Sequence, residues 1–189
     1  IIIKKHGIAQ PKVFAPVFPG TNCEYDTLNA FAKEGALVSS LPLININHQL
    51  LDESIDAWVE EIKTSQILAF SGGFSAGDEP DGSGKFITTV LMNEKIRVAV
   101  EDLLSRDGLI LGICNGFQAL IKSGLLPYGK FGQVTKNSPT LVRNNSDRHQ
   151  SKIVRTRMTG AKSPWLQLTK TGEIQNVAIS HGEGKFVAT

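Results

Sequence analysis

The sequence predicts an α/β fold: a doubly wound, mostly parallel sheet with helices on both faces and an antiparallel extension after residue 130. Three observations carry this. Apolar runs of strand length alternate four times with amphipathic runs of helix length. The strand runs are continuously apolar, as expected when both faces of a sheet are covered. Beyond residue 130 the alternation gives way to two strand-like runs, 151–158 and 174–180, the first of which alternates enough to be antiparallel or at an edge.

Taken in order, residues 1–11 read as a tail or linker punctuated by Gly7 and Pro11, which leaves 12–189 as the domain. KVFAPVF (12–18) is a buried strand closed by Pro19-Gly20. Residues 24–34 form a short helix with Leu28, Phe31 and Ala32 on one face and Gly35 near its stop. ALVSSLPLI (36–44) is the second strand. Over 53–63, Ile55, Trp58, Val59 and Ile62 keep the spacing of a buried helical stripe, with Trp58 in the core. QILAFSGG (66–73) is a third strand running into a glycine-rich loop. One long helix is expected over 85–106, with Ile96, Ala99, Val100, Leu103 and Leu104 on one side. GLILGI (108–113) is the fourth strand, and a helix over 115–123 follows it directly. Trp165, after Ser163-Pro164, is expected to anchor packing.

Composition excludes several classes. The chain has 189 residues, enough for one substantial core, and its 41% hydrophobic and 20% charged content argues against general disorder. A net charge of +2, with no basic stripe, argues against nucleic-acid binding. No apolar run reaches the roughly 18 residues of a membrane helix, and Ile1-Ile2-Ile3 before Lys4-Lys5 is not a signal peptide. The two cysteines, Cys23 and Cys114, form neither a disulfide framework nor a CxxC or Cys/His cluster, so no metal is expected and the compartment is expected to be cytoplasmic. The absence of an initiator Met reads as a fragment or an excised domain.

LILGICNGFQAL (109–120) places a thiol where an apolar strand run stops and an amphipathic run begins. Gly112-Ile113-Cys114-Asn115-Gly116 is G-x-C-x-G, the cysteine counterpart of the G-x-S-x-G nucleophile elbow. Such a turn exposes the sulfur, the following helix N-terminus favours a thiolate, and the glycines keep side chains out of the turn. Cys114 is therefore read as a nucleophile; the plain alternative is a small buried hydrophobe. SGGFSAGD (71–78), also at a strand end, matches no phosphate-loop pattern. One strand before the elbow, it fits an oxyanion hole with one donor at Gly73 and the other at the Asn115 N–H. SHGEG (180–184) admits two readings: a Cys-His-Glu arrangement using His181 and Glu183, or a binding turn at a strand end. Cys23 reads as a structural or half-exposed thiol. His6, His48 and His149 read as solvated, and LVRNNSDRH (141–149) as a solvated loop or a docking surface.

Together these segments resemble class I, triad-type glutamine amidotransferases and, more narrowly, the glutaminase domain of phosphoribosylformylglycinamidine synthases. The likeness rests on PVFPGTNCEYDT (16–27), SGGFSAGD (71–78), GICNGFQAL (112–120), VRNNSDR (142–148) and SHGEGKF (180–186), in the family's order from about Lys12 onward. It implies a flavodoxin-like fold and hydrolysis of glutamine by Cys114, with ammonia passed to a separate ATP- and Mg2+-dependent synthase domain or subunit. The amidotransferase domain itself would need no cofactor. By the same resemblance, Gln118 holds the amino-acid end of glutamine, and Ser180, His181, Gly182 and Glu183 help hold the substrate. IIIKKHGIAQPK resembles the linker of single-chain forms.

One departure stands out. Triad amidotransferases draw their catalytic His and Glu from an H-P-E triplet, and none occurs in these 189 residues. The resemblance therefore implies a domain truncated at its C-terminus, with nucleophile and oxyanion hole but little or no turnover of its own. Two alternatives are another elbow-cysteine hydrolase of the same fold and a non-catalytic docking module of the synthase.

Overall fold

A computed structural model describes residues 9–77 and 83–188. The expected tail falls largely on 1–8, with His6, and lies outside the described residues, as does Asp78 of the glycine-rich segment. The chain divides into two compact units, one running through Leu141 and resuming at Phe186, the other Val142–Lys185.

The first unit is built on four strands: β1 (Lys12–Val17), β2 (Leu37–Pro42), β3 (Ile67–Phe70) and β4 (Leu109–Gly112). Their order is β2-β1-β3-β4, and every pairing is parallel. Helices α1 (Glu24–Lys33), α2 (His48–Thr64), α3 (Lys85–Leu91), α4 (Glu94–Ser105) and α5 (Asn115–Ser123) connect or follow them. The main core lies among Phe14, Phe18, Trp58, Leu68, Phe70 and Leu103, all buried. Trp58 packs edge-on against Phe18, with ring centroids 5.1 Å apart, and its indole N–H donates to the Leu41 carbonyl at 3.1 Å. The ring thus fills the core while its one polar atom stays satisfied.

Two elements depart from expectation for the same reason. The single helix expected over 85–106 is two, because Asn93 restarts the chain: its side-chain oxygen accepts from the Lys95 and Ile96 N–H groups and caps α4. Likewise α2 begins at His48 rather than 53, because the Asn47 side chain accepts from Leu50 N–H at 2.9 Å. β2 departs differently. It is an edge strand whose Leu37 and Val38 are exposed, so its apolar run does not report burial on both faces. Trp165, expected to anchor packing, is 38% exposed.

Beneath that edge, Glu61 of α2 accepts a 2.6 Å hydrogen bond from Ser39 on β2 and lies 3.0 Å from the Lys12 ammonium on β1. Partial burial by itself would raise the Glu61 carboxyl. The Ser39 hydrogen bond and Lys12 outweigh it and hold the group below the usual glutamate value. A carboxyl depressed on folding contributes stability that is complete above its unfolded value and is lost as pH falls through the folded one. The difference in unfolding free energy between the parent chain and Glu61→Gln is therefore expected to be largest near neutrality and to shrink below about pH 4.3. Urea unfolding across that range measures it, and a pH-independent difference contradicts it.

The second unit is dominated by an antiparallel ribbon of β6 (Gln150–Arg157) and β7 (Ile174–His181), paired over eight residues. The short strands β5 (Thr140–Val142) and β8 (Lys185–Val187), most of whose residues belong to the first unit, pair with each other.

Candidate active site

The strand order sets the carboxyl ends of β1, β3 and β4 side by side, and three segments meet there. After β4 the chain turns at Cys114 with φ 53° and ψ −108°, a left-handed conformation that a residue with a Cβ seldom adopts. The thiol is exposed. The Ile113 N–H donates to the Phe70 carbonyl at 2.9 Å, and the Gln118 N–H donates to the Cys114 carbonyl at 3.0 Å. The turn is thus tied to β3 on one side and to α5 on the other.

The glycines of G-x-C-x-G are explained by close approach. A Cβ on Gly116 would stand 2.4 Å from the Phe70 carbonyl oxygen; one on Gly112 would stand 2.9 Å from the Gly116 backbone and 2.6 Å from the Leu120 side chain. These glycines let α5 start directly against β3.

The glycine-rich segment that follows β3 is held from two sides. The Pro19-Gly20 turn after β1 braces it: the Phe74 N–H donates to the Gly20 carbonyl at 3.0 Å, and the Ala76 N–H to the Pro19 carbonyl at 2.6 Å. On the other side, the buried Asn115 side chain reaches from the first turn of α5. Its oxygen accepts from the Ser75 hydroxyl at 2.6 Å, and its amide donates to the Gln118 side-chain oxygen at 3.2 Å. The Gly73 N–H has no acceptor among the described residues, and its φ of 132° suits glycine alone.

The first unit therefore gathers Cys114, Gly73, Asn115 and Gln118. Ser180, His181, Gly182 and Glu183 lie in the second, where Asn144 organises them. The buried Asn144 amide donates to the carbonyls of Arg148 and His181, at 3.0 and 2.9 Å, which turns its oxygen toward His181 Nδ1, 3.0 Å away. That oxygen can only accept, so the ring proton sits on Nδ1. The Asn144 N–H also donates to the Gly182 carbonyl at 3.0 Å, and Glu183 is buried. His149 is exposed and bonds the Ser180 hydroxyl at 2.8 Å.

Two contributors escaped the sequence reading. Ser75 is one; a serine inside a glycine-rich run gives no sign of where its hydroxyl points. Cys23 is the other. It stands at the N-terminal end of α1, and its sulfur lies 3.7 Å from the place a Gly72 Cβ would occupy, where the Cys114 sulfur is 3.9 Å away. Burial, the neighbouring Cys114, and then Asp26 and Glu24 push the Cys23 thiol above its ordinary value. The sequence hints are Pro19-Gly20, which turns the chain back across the end of β3, and the place of Cys23 inside PVFPGTNCEYDT, one of the runs that carry the family likeness.

A family model described as the CobB/CobQ-like glutamine amidotransferase domain matches residues 10–189. The chain belongs to that family. This amidotransferase domain is 36% identical over 178 residues to phosphoribosylformylglycinamidine synthase subunit PurQ of Dehalococcoides mccartyi, covering 90% of the chain and 61% of the relative. It is 31% identical to the PurQ subunit of Salinibacter ruber, covering 91% and 61%. The chain thus spans about three-fifths of the length of these relatives. A solved structure described as PurLQS from Thermotoga maritima superposes with a TM-score of 0.71 at 27% identity, over 95% of this chain and 70% of that one. Among the described residues of the amidotransferase domain, no helix is long and apolar enough to cross a membrane, and no group of three His, Cys, Asp or Glu side chains is placed to hold a metal ion.

Proposed function

We infer that this domain is the glutaminase part of a phosphoribosylformylglycinamidine synthase in purine biosynthesis. The observation that carries the reading is the exposed Cys114 thiol on a strained strand-to-helix turn, beside a glycine loop locked to that turn through Asn115 and Ser75. The names of the PurQ relatives and the PurLQS likeness support it.

In this reading the Cys114 sulfur attacks the side-chain amide carbon of glutamine. The carbonyl π electrons move onto oxygen, and the Gly73 and Asn115 N–H groups donate to that developing oxyanion, each donor contributing about 3 kcal/mol of transition-state stabilisation. Collapse breaks the C–N bond, the leaving nitrogen takes the proton given up by the thiol and departs as ammonia, and a thioester remains that water converts to glutamate. Gln118 holds the substrate's amino-acid end, and for Ser180, His181, Gly182 and Glu183 the family resemblance implies a substrate-holding role. Ammonia then serves an ATP- and Mg2+-dependent synthase domain or subunit, the expected partner, in the cytoplasm.

Because no H-P-E triplet occurs in the 189 residues, covalent capture rather than turnover is the informative measurement. Incubation with 6-diazo-5-oxo-norleucine, a glutamine-like electrophile, is expected to give one adduct, mapped to Cys114 and suppressed by excess glutamine. Labelling of Cys114 by iodoacetamide but not by the glutamine analogue would overturn the glutaminase reading. Multiple turnovers of glutamine by the same chain would overturn the expectation that it lacks a base.

A further inference from the structure

We propose that Cys23 and Cys114 form a reversible dithiol–disulfide pair across Gly72, so that oxidation modifies the elbow sulfur and masks it. The two thiols come from different strand ends, the loop after β1 and the turn after β4, with the end of β3 between them. Both sulfurs lie within 4 Å of the point where a Gly72 Cβ would sit, and that point is 3.3 Å from the Cys114 Cβ. Glycine leaves the space between them without a side chain. Both cysteines are free; Cys114 is exposed and Cys23 half-buried, so an oxidant meets Cys114 first. The Cys23 thiol, which donates to Asn22 Oδ1 at 3.0 Å, waits as the second partner. Its raised pKa suits it to resolve rather than initiate, because the outer sulfur reacts before it.

The chemistry balances with hydrogen peroxide as the oxidant. The Cys114 sulfur attacks one peroxide oxygen and breaks the O–O bond, giving a sulfenic acid and one water. The Cys23 sulfur then attacks Cys114 Sγ; the S–O bond breaks, and the expelled hydroxide takes the Cys23 proton as a second water. Two electrons leave the sulfur pair and reduce one peroxide. Thiol–disulfide exchange with dithiothreitol reverses the step.

Reduced 189-residue chain treated with peroxide and then N-ethylmaleimide provides the test. The expected product is monomeric, lighter by two hydrogens, unable to take maleimide, and yields a peptide cross-linking Cys23 to Cys114; dithiothreitol restores two maleimide sites. Cys23→Ser should lose the cross-link and accumulate a dimedone-reactive sulfenic acid at Cys114. Gly72→Ala, whose methyl would touch both sulfurs, should form the cross-link more slowly. The proposal is overturned if the parent chain is oxidised beyond sulfenic acid at Cys114 while Cys23 still takes maleimide, or if cross-links join only separate chains. None of these readouts involves glutamine, so the pair stands or falls apart from the glutaminase reading.

Discussion

Gly116→Ala is expected to destabilise the domain by about 3 kcal/mol and to abolish capture of the glutamine analogue at Cys114. The added methyl would sit 2.4 Å from the Phe70 carbonyl oxygen and 2.6 Å from the Phe70 Cβ. Most of what it strikes is backbone of a central strand, which cannot swing aside as a long side chain can. The first turn of α5 must move away from β3, carrying Cys114 and Asn115 with it. Urea unfolding measures the first effect, and the rate of adduct formation under native conditions the second. Gly160→Ala, whose Cβ would meet nothing within 4 Å, is the control and should change stability by no more than about 0.5 kcal/mol. A Gly116→Ala chain as stable and as reactive as the control would contradict the close-packed elbow.

Gly73→Ala attacks the neighbouring loop in another way. Its φ of 132° lies where a residue with a Cβ is strained, and the methyl would stand 2.6 Å from the Gly20 carbonyl oxygen and 2.9 Å from the Thr21 Cα. The loop must leave its brace on the β1 turn, which displaces the Gly73 N–H. Loss of one oxyanion donor lowers the rate by about 10²–10³-fold. Acylation of Cys114 by an activated γ-glutamyl ester, whose carbonyl the sulfur attacks, is therefore expected to slow by about that factor, while alkylation by iodoacetamide, which builds no oxyanion, stays within about threefold of the parent. Equal slowing with both reagents would show that the loop governs access to the sulfur rather than charge on oxygen.

The strand-forming runs of the parallel sheet were legible because KVFAPVF, QILAFSGG and GLILGI are short and continuously apolar, and the G-x-C-x-G run locates the turn between β4 and α5 to the residue. Legibility failed where a single polar side chain decides the backbone. Asn93 and Asn47 start helices by accepting N–H bonds, and hydrophobic periodicity carries no trace of that. ALVSSLPLI looked doubly covered, yet it lies at the sheet edge; edge position depends on strand order, which one strand's sequence does not contain. At the site, Cys114, Gly73 and Asn115 could be picked out by their spacing within local segments. The links between segments could not: Ser75 to Asn115 spans 40 positions, and Cys23 and Cys114 both approach Gly72 only because β1 and β4 flank β3.

Helix α5 opens on a sulfur that makes no side-chain bond to its first turn. Serine and aspartate cap helices from β-region backbone, which the φ of 53° at this position does not offer. Capping at this end therefore falls to whatever the sulfur carries, and an acyl oxygen on it brings an acceptor to the helix start. Melting temperature should therefore rise on acylation of the thiol, making heat tolerance itself a gauge of occupancy.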